Sequence, residues 1–185
     1  PQGSFVKQYN NTWPNIGIGS GIQNPDKVLV HYFLNNTQAN LWSMQNVHIS
    51  YPASFNDEQV IKTIYDPSPA GFHVPESNAF TGFSANGENT GRANARGDFN
   101  FGWDLYNKLE NPTATIYIPA IGFRYFSYGG DLLDVGKRAD YWTAVPFGNS
   151  LGARLFFYLT LQFYPKHNGT ADFRNGHGIR SVADE

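Results

Sequence analysis

The chain has 185 residues, of which 15% are charged and 16% aromatic, with a formal net charge of −2 and no cysteine. This length suits one domain with a full core. The charge balance gives no electrostatic footprint for nucleic acid or an anionic membrane, and no apolar run approaches the roughly 20 residues that span a bilayer. Without cysteine there are no disulfides, thiolate nucleophiles or cysteine-ligated metals.

The first third of the chain contains one clear strand. Residues 1–27 are rich in turn-forming residues, and we expect an irregular leading segment there. "KVLVHYFL" at 27–34 is dense in β-branched and aromatic residues, which predicts a strand. The stretch "SFNDEQVIKTIYD" at 54–66 fits either a helix capped at Ser54 or a strand. We expect a strand that begins at about Val60.

The next segment, "DPSPAGFHVP" at 66–75, places three prolines and a glycine within ten residues. Proline fixes φ and removes a donor, so helix and central strand are both excluded. We predict a rigid corner whose apolar pins are Phe72 and Val74. It leads into one short helix with Pro75 near its start. Residues 84–99 are polar and rich in Asn and Gly, which predicts an exposed loop.

Short strands then recur between turn signals. They are "GWDLYN", "ATIYIPAIGFR", "DYWTAVP", "ARLFFYLTLQFYP" and "GIRSVAD". This cadence predicts an α+β, mostly β fold with short antiparallel strands, one or two short helices and long irregular loops.

No catalytic template is recognisable in the sequence. The histidines show neither HxxxH nor HExxH spacing; they are His31, His48, His73, His167 and His177. There is no GxSxG elbow, and the glycine-rich "GIGSG" is not followed by Lys and Ser or Thr. We therefore expect a protein that is not an enzyme and that holds no metal or cofactor. A glycan hydrolase, which would need two carboxylates converging on one cleft, is the enzymatic alternative.

The segment "LFFYLTLQFYP" at 155–165 contains two alternating sets of side chains. One set is uniformly apolar and is predicted to face the core: Leu155, Phe157, Leu159, Leu161 and Phe163. The other set is mixed and is predicted to face solvent: Phe156, Tyr158, Thr160, Gln162 and Tyr164.

Aromatic and amide side chains are unusually dense near turns in the C-terminal third. Tyrosine supplies a large contact area at low entropic cost, and amides supply adaptable hydrogen bonds. We predict a ligand-binding surface made of Tyr125, Tyr128, Arg138, Tyr141, Phe147, Tyr158, Thr160, Gln162, Tyr164, His167, Asn168, Phe173, Asn175 and His177. The alternative is that these tyrosines complete ordinary amphipathic strands.

Two arginines sit inside strand patterns beside apolar residues. Arg124 lies in "IGFRY" and Arg180 in "GIRSV". Either could grip a carboxylate or a sugar. The favoured interpretation is structural, because a guanidinium can donate several hydrogen bonds to loop carbonyls.

An ordered set of motifs resembles a known family. "KTIYDPSPAGFHVP", "AFTGF", "GWDLYN", "IYIPAIGFR", a Gly136 to Trp142 segment and "GIRSV" occur in that order over about residues 60–183. Together they resemble the Fibrobacter succinogenes major paralogous domain, which is found in fimbrillin-like surface lipoproteins of Bacteroidetes. The resemblance implies a C-type-lectin-like binding domain at 60–185, with residues 1–59 as a leading segment. Trp142 and Arg180 would match framework positions.

The same resemblance links the chain to formylglycine-generating enzymes and to the variable proteins of diversity-generating retroelements. Ser68 stands where the family corner has cysteine, and a chain without cysteine cannot perform thiolate chemistry. The calcium-dependent sugar motifs of animal C-type lectins are absent as well. Framework positions over 151–180 match the family while the residues between them are unusual, which is typical of a ligand-facing or diversified surface.

The function implied is a non-catalytic adhesin or receptor module at the bacterial cell surface, in a fimbria or on the outer membrane. Its partner would be a glycan or a protein on another cell, phage or host surface, with no nucleic acid. The alternative is a structural capping or assembly domain of a fimbria. The chain starts at Pro1 without a signal peptide, so we expect a trimmed fragment without a membrane span, compatible with a lipid anchor upstream. The oligomeric state is left open.

Overall fold

The computed structural model describes residues 6–8, 27–29, 42–43, 59–87, 91–128, 130–147, 151–159, 162–167, 172 and 175–184. The strands in this part of the chain are β1 (Val6–Gln8), β2 (Lys27–Leu29), β3 (Phe72–His73), β4 (Gly102–Tyr106), β5 (Thr115–Pro119), β6 (Phe123–Tyr125), β7 (Asp131–Leu133), β8 (Arg138–Phe147), β9 (Leu151–Tyr158), β10 (Phe163–His167), β11 (Gly178–Ile179) and β12 (Val182–Ala183). Helical structure in these ranges is limited to 3₁₀ turns at Thr81–Phe83 and Phe126–Tyr128. The prediction of a mostly β protein with short strands and little helix is confirmed.

The largest sheet has the strand order β10-β9-β8-β11. β8 and β9 form a long antiparallel hairpin in which Ala139 pairs with Phe157 and Tyr141 with Leu155. β10 continues antiparallel to β9, whereas β11 adds in parallel to the other edge of β8. Shorter antiparallel ribbons are formed by β4 with β5, β6 with β7, and β3 with β12.

One face of this sheet carries the main hydrophobic core. Ala139 and Tyr141 of β8, Leu155 and Phe157 of β9, and Phe163 of β10 are all buried. They pack in one cluster with Phe80, Trp103, Leu105, Ile118 and Ala120. Each large apolar side chain buried here contributes about 1.5–3 kcal/mol. The alternation predicted for Leu155, Phe157 and Phe163 is therefore confirmed.

The segment 155–165 forms a hairpin, not one continuous strand. β9 ends at Tyr158, whose N–H donates to the Gln162 carbonyl, and β10 begins at Phe163. Leu159 lies in the turn and is 42% exposed, so the prediction that it faces the core is wrong. Thr160 and Leu161 lie outside the described residues.

A glycine turn divides the predicted strand "ATIYIPAIGFR" into β5 and β6. Gly122 has φ of +71°, and a Cβ there would clash with the carbonyl oxygen of Leu133. Only glycine fits both requirements. The Gly122 N–H donates to the carbonyl of Arg138 at 2.7 Å, which fixes the β6–β7 ribbon against β8.

The proline corner is organised by the buried carboxylate of Asp66. Its oxygens accept the N–H groups of Ser68 at 2.7 Å and Val74 at 2.9 Å, and the Lys62 ammonium lies 3.0 Å away. Burial raises the pKa of Asp66, but these hydrogen bonds outweigh it and leave the pKa below its usual value. Val74 is fully buried as predicted, whereas Phe72 is 42% exposed, so its predicted role as an apolar pin is wrong.

Three further predictions about local structure need correction. The strand expected from Val60 is reduced to an isolated bridge between Ser43 and Lys62. The short helix expected after the corner is only the 3₁₀ turn at Thr81–Phe83. The loop expected at 84–99 is exposed at most of its described residues. It departs from the prediction at Ala93 and Ala95, which make single bridges and pack against the core, because Asn94 is tied to strand β4 by the N–H of Tyr106.

Of the predicted strand at 27–34, the structure describes only β2, at Lys27–Leu29, which pairs in parallel with β1. Most of the leading segment 1–27 and residues 54–58 lie outside the described residues.

Candidate ligand-binding face

The second face of the large sheet carries charge and aromatic rings in place of aliphatic core. The hairpin register places Arg138 opposite Tyr158, Asp140 opposite Phe156, and Trp142 opposite Arg154 on this side. β10 adds Tyr164 beside Phe156. Since side chains in a strand alternate, these residues share the side opposite Ala139 and Tyr141. We call this surface the arginine–aromatic face and define it by Arg138, Asp140, Trp142, Arg154, Phe156, Tyr158 and Tyr164.

A buried carboxylate joins two guanidinium groups at the centre of this face. The Asp140 side chain has no exposed surface, and its oxygens accept Arg138 Nε at 2.6 Å and Arg138 Nη2 at 3.2 Å. Arg154 Nε donates to the same carboxylate at 2.6 Å. Short charge-assisted bonds of this kind fix both partners in orientation. Arg138 is therefore presented to the surface as a rigid group.

Aromatic rings lie close to both guanidinium groups. The Arg138 guanidinium carbon lies 4.0 Å from the Phe123 ring centroid and 4.9 Å from that of Phe156. Arg154 lies 5.5 Å from the same Phe156 ring. Each such contact contributes about 0.5–2 kcal/mol, the larger values at desolvated sites.

The environment of Arg154 opposes its charge. Burial lowers the pKa of the Arg154 guanidinium, and the repulsion from Arg138 acts in the same direction, while Asp140 partly restores it. Asp140 is thus needed to keep two cations side by side in a poorly solvated layer.

His177 completes the buried part of the face. Its ring stacks on Phe123 with centroids 5.8 Å apart and meets Trp142 edge-on at 4.2 Å. Nδ1 lies 3.9 Å from the Asp140 carboxylate, too far for a hydrogen bond, and neither ring nitrogen has a partner among the described residues. Burial lowers the pKa of His177 to about 3, with the two arginines adding to the effect and Asp140 opposing it. His177 is a neutral ring at neutral pH.

Backbone pairing explains how His177 reaches this position. Arg124 of β6 and Gly176 exchange two backbone hydrogen bonds of 2.8 and 2.9 Å. The following residue, His177, is thereby placed beside Phe123, just before β11 joins the edge of β8. The backbone pairing of Gly176 with Arg124 on one side, and the pairing of β11 with β8 on the other, fix the position of the His177 ring.

A series of rings leads from this buried layer to the surface. Phe123 lies 5.8 Å from Tyr125, and Tyr125 meets Phe126 and Tyr128 edge-on at 5.4 and 5.1 Å. Tyr128, at the outer end, is 59% exposed. Edge-to-face contacts stiffen such a cluster because each ring restricts its neighbour.

The structure gathers part of the predicted site on this face and its border. Tyr125, Tyr128, Arg138, Tyr158 and Tyr164 are exposed or half-buried there. Phe156, Tyr158 and Tyr164 were predicted to face solvent but are half-buried, because Arg138, Arg154 and Phe123 cover the same side of the sheet.

Other predicted site residues lie in the interior. Tyr141 belongs to the main core, where its hydroxyl donates to the Pro119 carbonyl at 2.9 Å and burial raises its pKa to about 12. Asn175 is buried, and its side-chain oxygen accepts the Phe126 N–H at 3.4 Å. With His177, these residues support the face from beneath and offer little surface to a large ligand.

The remaining predicted site residues are described only in part. Gln162 is exposed in the β9–β10 turn. For Phe147 and His167 the structure describes the strand backbone and not the side chain, and Thr160, Asn168 and Phe173 lie outside the described residues.

Asp140 and Arg154 were missed as organisers of the site. The spacing Arg138-x-Asp140 on a strand could have identified one charged pair on one face, since i and i+2 project to the same side. The structural interpretation of Arg124 is confirmed, because its Nη1 donates to the Gly130 carbonyl at 2.9 Å. The corresponding interpretation of Arg180 stays a prediction.

Within the described ranges, no group of three or more His, Asp or Glu side chains is arranged to hold a metal ion. None of the helical segments in that part of the chain is long and apolar enough to cross a membrane. A scan against protein-family models, a search of curated proteins and a search of solved structures each returned no match.

Proposed function

We propose that this chain is a non-catalytic binding module of C-type-lectin-like fold, displayed at the cell surface. It recognises a glycan or protein through the arginine–aromatic face and the neighbouring Tyr125 and Tyr128, which we call the border tyrosines. The observation that carries this proposal is the rigid outward presentation of Arg138 and Tyr128. One is fixed by the buried carboxylate of Asp140, and the other is fixed by edge-on packing against Tyr125. Pre-organised groups of this type lose little entropy when a ligand binds.

Alanine substitution of the border tyrosines tests this function. The Tyr125→Ala, Tyr128→Ala double variant is expected to lose about 10- to 100-fold in affinity for its partner on a glycan array or on whole cells, since aromatic anchors dominate binding energy. Tyr65→Ala is the matched control, because Tyr65 is a similarly exposed tyrosine at the proline corner. Equal binding by the wild type, the double variant and the control would refute the assignment.

A second candidate, an assembly domain of a surface filament, is favoured by a different patch. Phe101 is 70% exposed with φ of +52°, and its ring lies over Gly136. Val135, in the turn before β8, and Tyr117, in β5, are also exposed, and the Tyr117 hydroxyl donates to the carbonyl of Asn100 next to Phe101. A strained, exposed aromatic at a turn is costly for an isolated domain. Concentration-dependent oligomers that disappear in Phe101→Ser would support assembly, whereas a monomer at all concentrations would support the binding module.

A further inference from the structure

We infer that Arg138 makes the arginine–aromatic face selective for a carboxylate-bearing glycan. This inference rests on the proposed function and names the ligand class for the same face. The inference is based on the Arg138 guanidinium: Asp140 accepts hydrogen bonds from one of its edges, and the other edge is open to a ligand.

A guanidinium has five N–H donors in a fixed fork. Asp140 takes two of them, from Nε and Nη2, which leaves three, and two of these, one each from Nη1 and Nη2, form the edge between those nitrogens. Nη1 donates to no group in the described part of the chain, and no other carboxylate there lies within ion-pair distance of Arg138. The side chain keeps 22% of its surface exposed. The open edge has the geometry that binds a carboxylate through two parallel hydrogen bonds.

The rings of Phe123 and Phe156 lie against this guanidinium, and with only 22% of the Arg138 side chain exposed the group is partly desolvated. A charge-assisted bond at a partly desolvated edge is stronger than the same bond in bulk water. Asp140 also holds the group in place, so a ligand need not order a flexible side chain.

The surroundings favour a sugar as the carrier of that carboxylate. Phe123 contacts both Arg138 and Tyr125, so the open edge and the border tyrosines are neighbours across a single ring. An acidic sugar presents a carboxylate directly on a pyranose ring, and one residue can therefore reach the guanidinium and an aromatic ring together. A protein partner would need a far wider matching surface, about 800 Å² on each side.

Paired ligands that differ only in the carboxylate provide the test. Oligogalacturonate and its methyl ester, and sialyllactose and lactose, are titrated into the wild-type protein by calorimetry. A poly-glutamate peptide serves as the non-sugar anion. We expect at least one acid to bind about 10- to 100-fold more tightly than its neutral partner, as a hydrogen-bonded charge requires.

Two variants test whether Arg138 is responsible for the preference for the acidic ligand. Arg138→Lys keeps the positive charge beside Asp140 but loses the fork, and is expected to abolish the preference for the acid. Lys137→Gln removes a charge from the exposed neighbouring side chain and is expected to change affinity less than about 3-fold. Melting curves of the variants confirm that each is folded.

Three results would overturn the inference. They are equal binding of acids and esters, a preference that survives Arg138→Lys, and binding of poly-glutamate without any acidic glycan. If neutral glycans bind and the Tyr125, Tyr128 double variant loses them, the proposed function stands while the carboxylate inference fails. If no sugar and no cell surface is bound even at millimolar concentration, both fail.

Discussion

The buried carboxylate of Asp140 gives the sharpest test of how the face is held. Replacing it in Asp140→Asn preserves the side-chain volume but leaves two adjacent guanidinium groups without the negative charge between them. Because the Asp140 and Arg154 side chains are 0% and 3% exposed, solvent can screen this repulsion only weakly. Breaking one partner of a buried ion pair costs about 3–5 kcal/mol. For a chain of this length, that loss lowers Tm by about 6–20 °C.

Urea unfolding at neutral pH measures the effect, with the midpoint compared at constant m-value. The matched control is Asp104→Asn, which removes a carboxylate 3.5 Å from Arg96 at a surface where the two side chains are 39% and 61% exposed. This control is expected to cost less than about 1 kcal/mol. If Asp140→Asn were no more destabilising than Asp104→Asn, the face would not depend on its buried carboxylate, and the account of a pre-organised Arg138 would be refuted.

Two further predictions concern pH and the β5–β6 turn. Because His177 has a pKa of about 3 in the folded state and near 6.5 when unfolded, the unfolded chain binds its proton first. The stability that comes from burying neutral His177 is therefore fully present above about pH 6.5, and the free energy of unfolding decreases at lower pH by up to about 1.4 kcal/mol per pH unit. His177→Phe should flatten this decline between about pH 6.5 and 4.5. An unchanged slope of the urea midpoint against pH would contradict the burial of a neutral ring. Gly122→Ala should cost at least about 2 kcal/mol, since it combines left-handed φ with a backbone clash. Gly82→Ala, with open space around its Cβ and no positive φ, should change the unfolding free energy by less than about 1 kcal/mol, and equal losses in the two variants would contradict this account of the turn.

The alternation of side chains was readable from the sequence, and it correctly placed Leu155, Phe157 and Phe163 in the core. The turn after Tyr158 was not readable, because "LTLQ" contains no Gly, Pro, Asn or Asp to signal it. The same run of apolar letters fits one long strand and a hairpin equally well. The antiparallel pairing of β10 with β9 shows that the segment is a hairpin.

Local sequence patterns could not predict that the second face of the sheet is largely buried. Alternation placed Phe156 and Tyr158 on the side opposite the core, which is correct, but solvent exposure depends on what covers that side. Phe123 and His177 come from distant parts of the chain and provide the cover. The charge network of Asp140 likewise requires the β8–β9 register, which sets Arg154 diagonally across from it.

The structure of the proline corner was predicted only in part. Its rigidity followed from the fixed φ of its prolines, and the burial of Val74 was predicted correctly. The role of Asp66 was missed although "DPS" is a turn signal, since an Asp side chain commonly accepts the N–H two residues later. Phe72 is exposed because β3 pairs with β12, and its neighbour His73 takes the inward position.

The most direct measurement of the central claim is an NMR titration of the isotope-labelled protein with whichever carbohydrate or cell-surface fraction it retains. The account predicts shifts concentrated at Tyr125, Tyr128 and the Arg138 side chain, with the ligand recovered chemically unchanged. Shifts concentrated around Phe101 and Val135, or conversion of the ligand into a product, would contradict it.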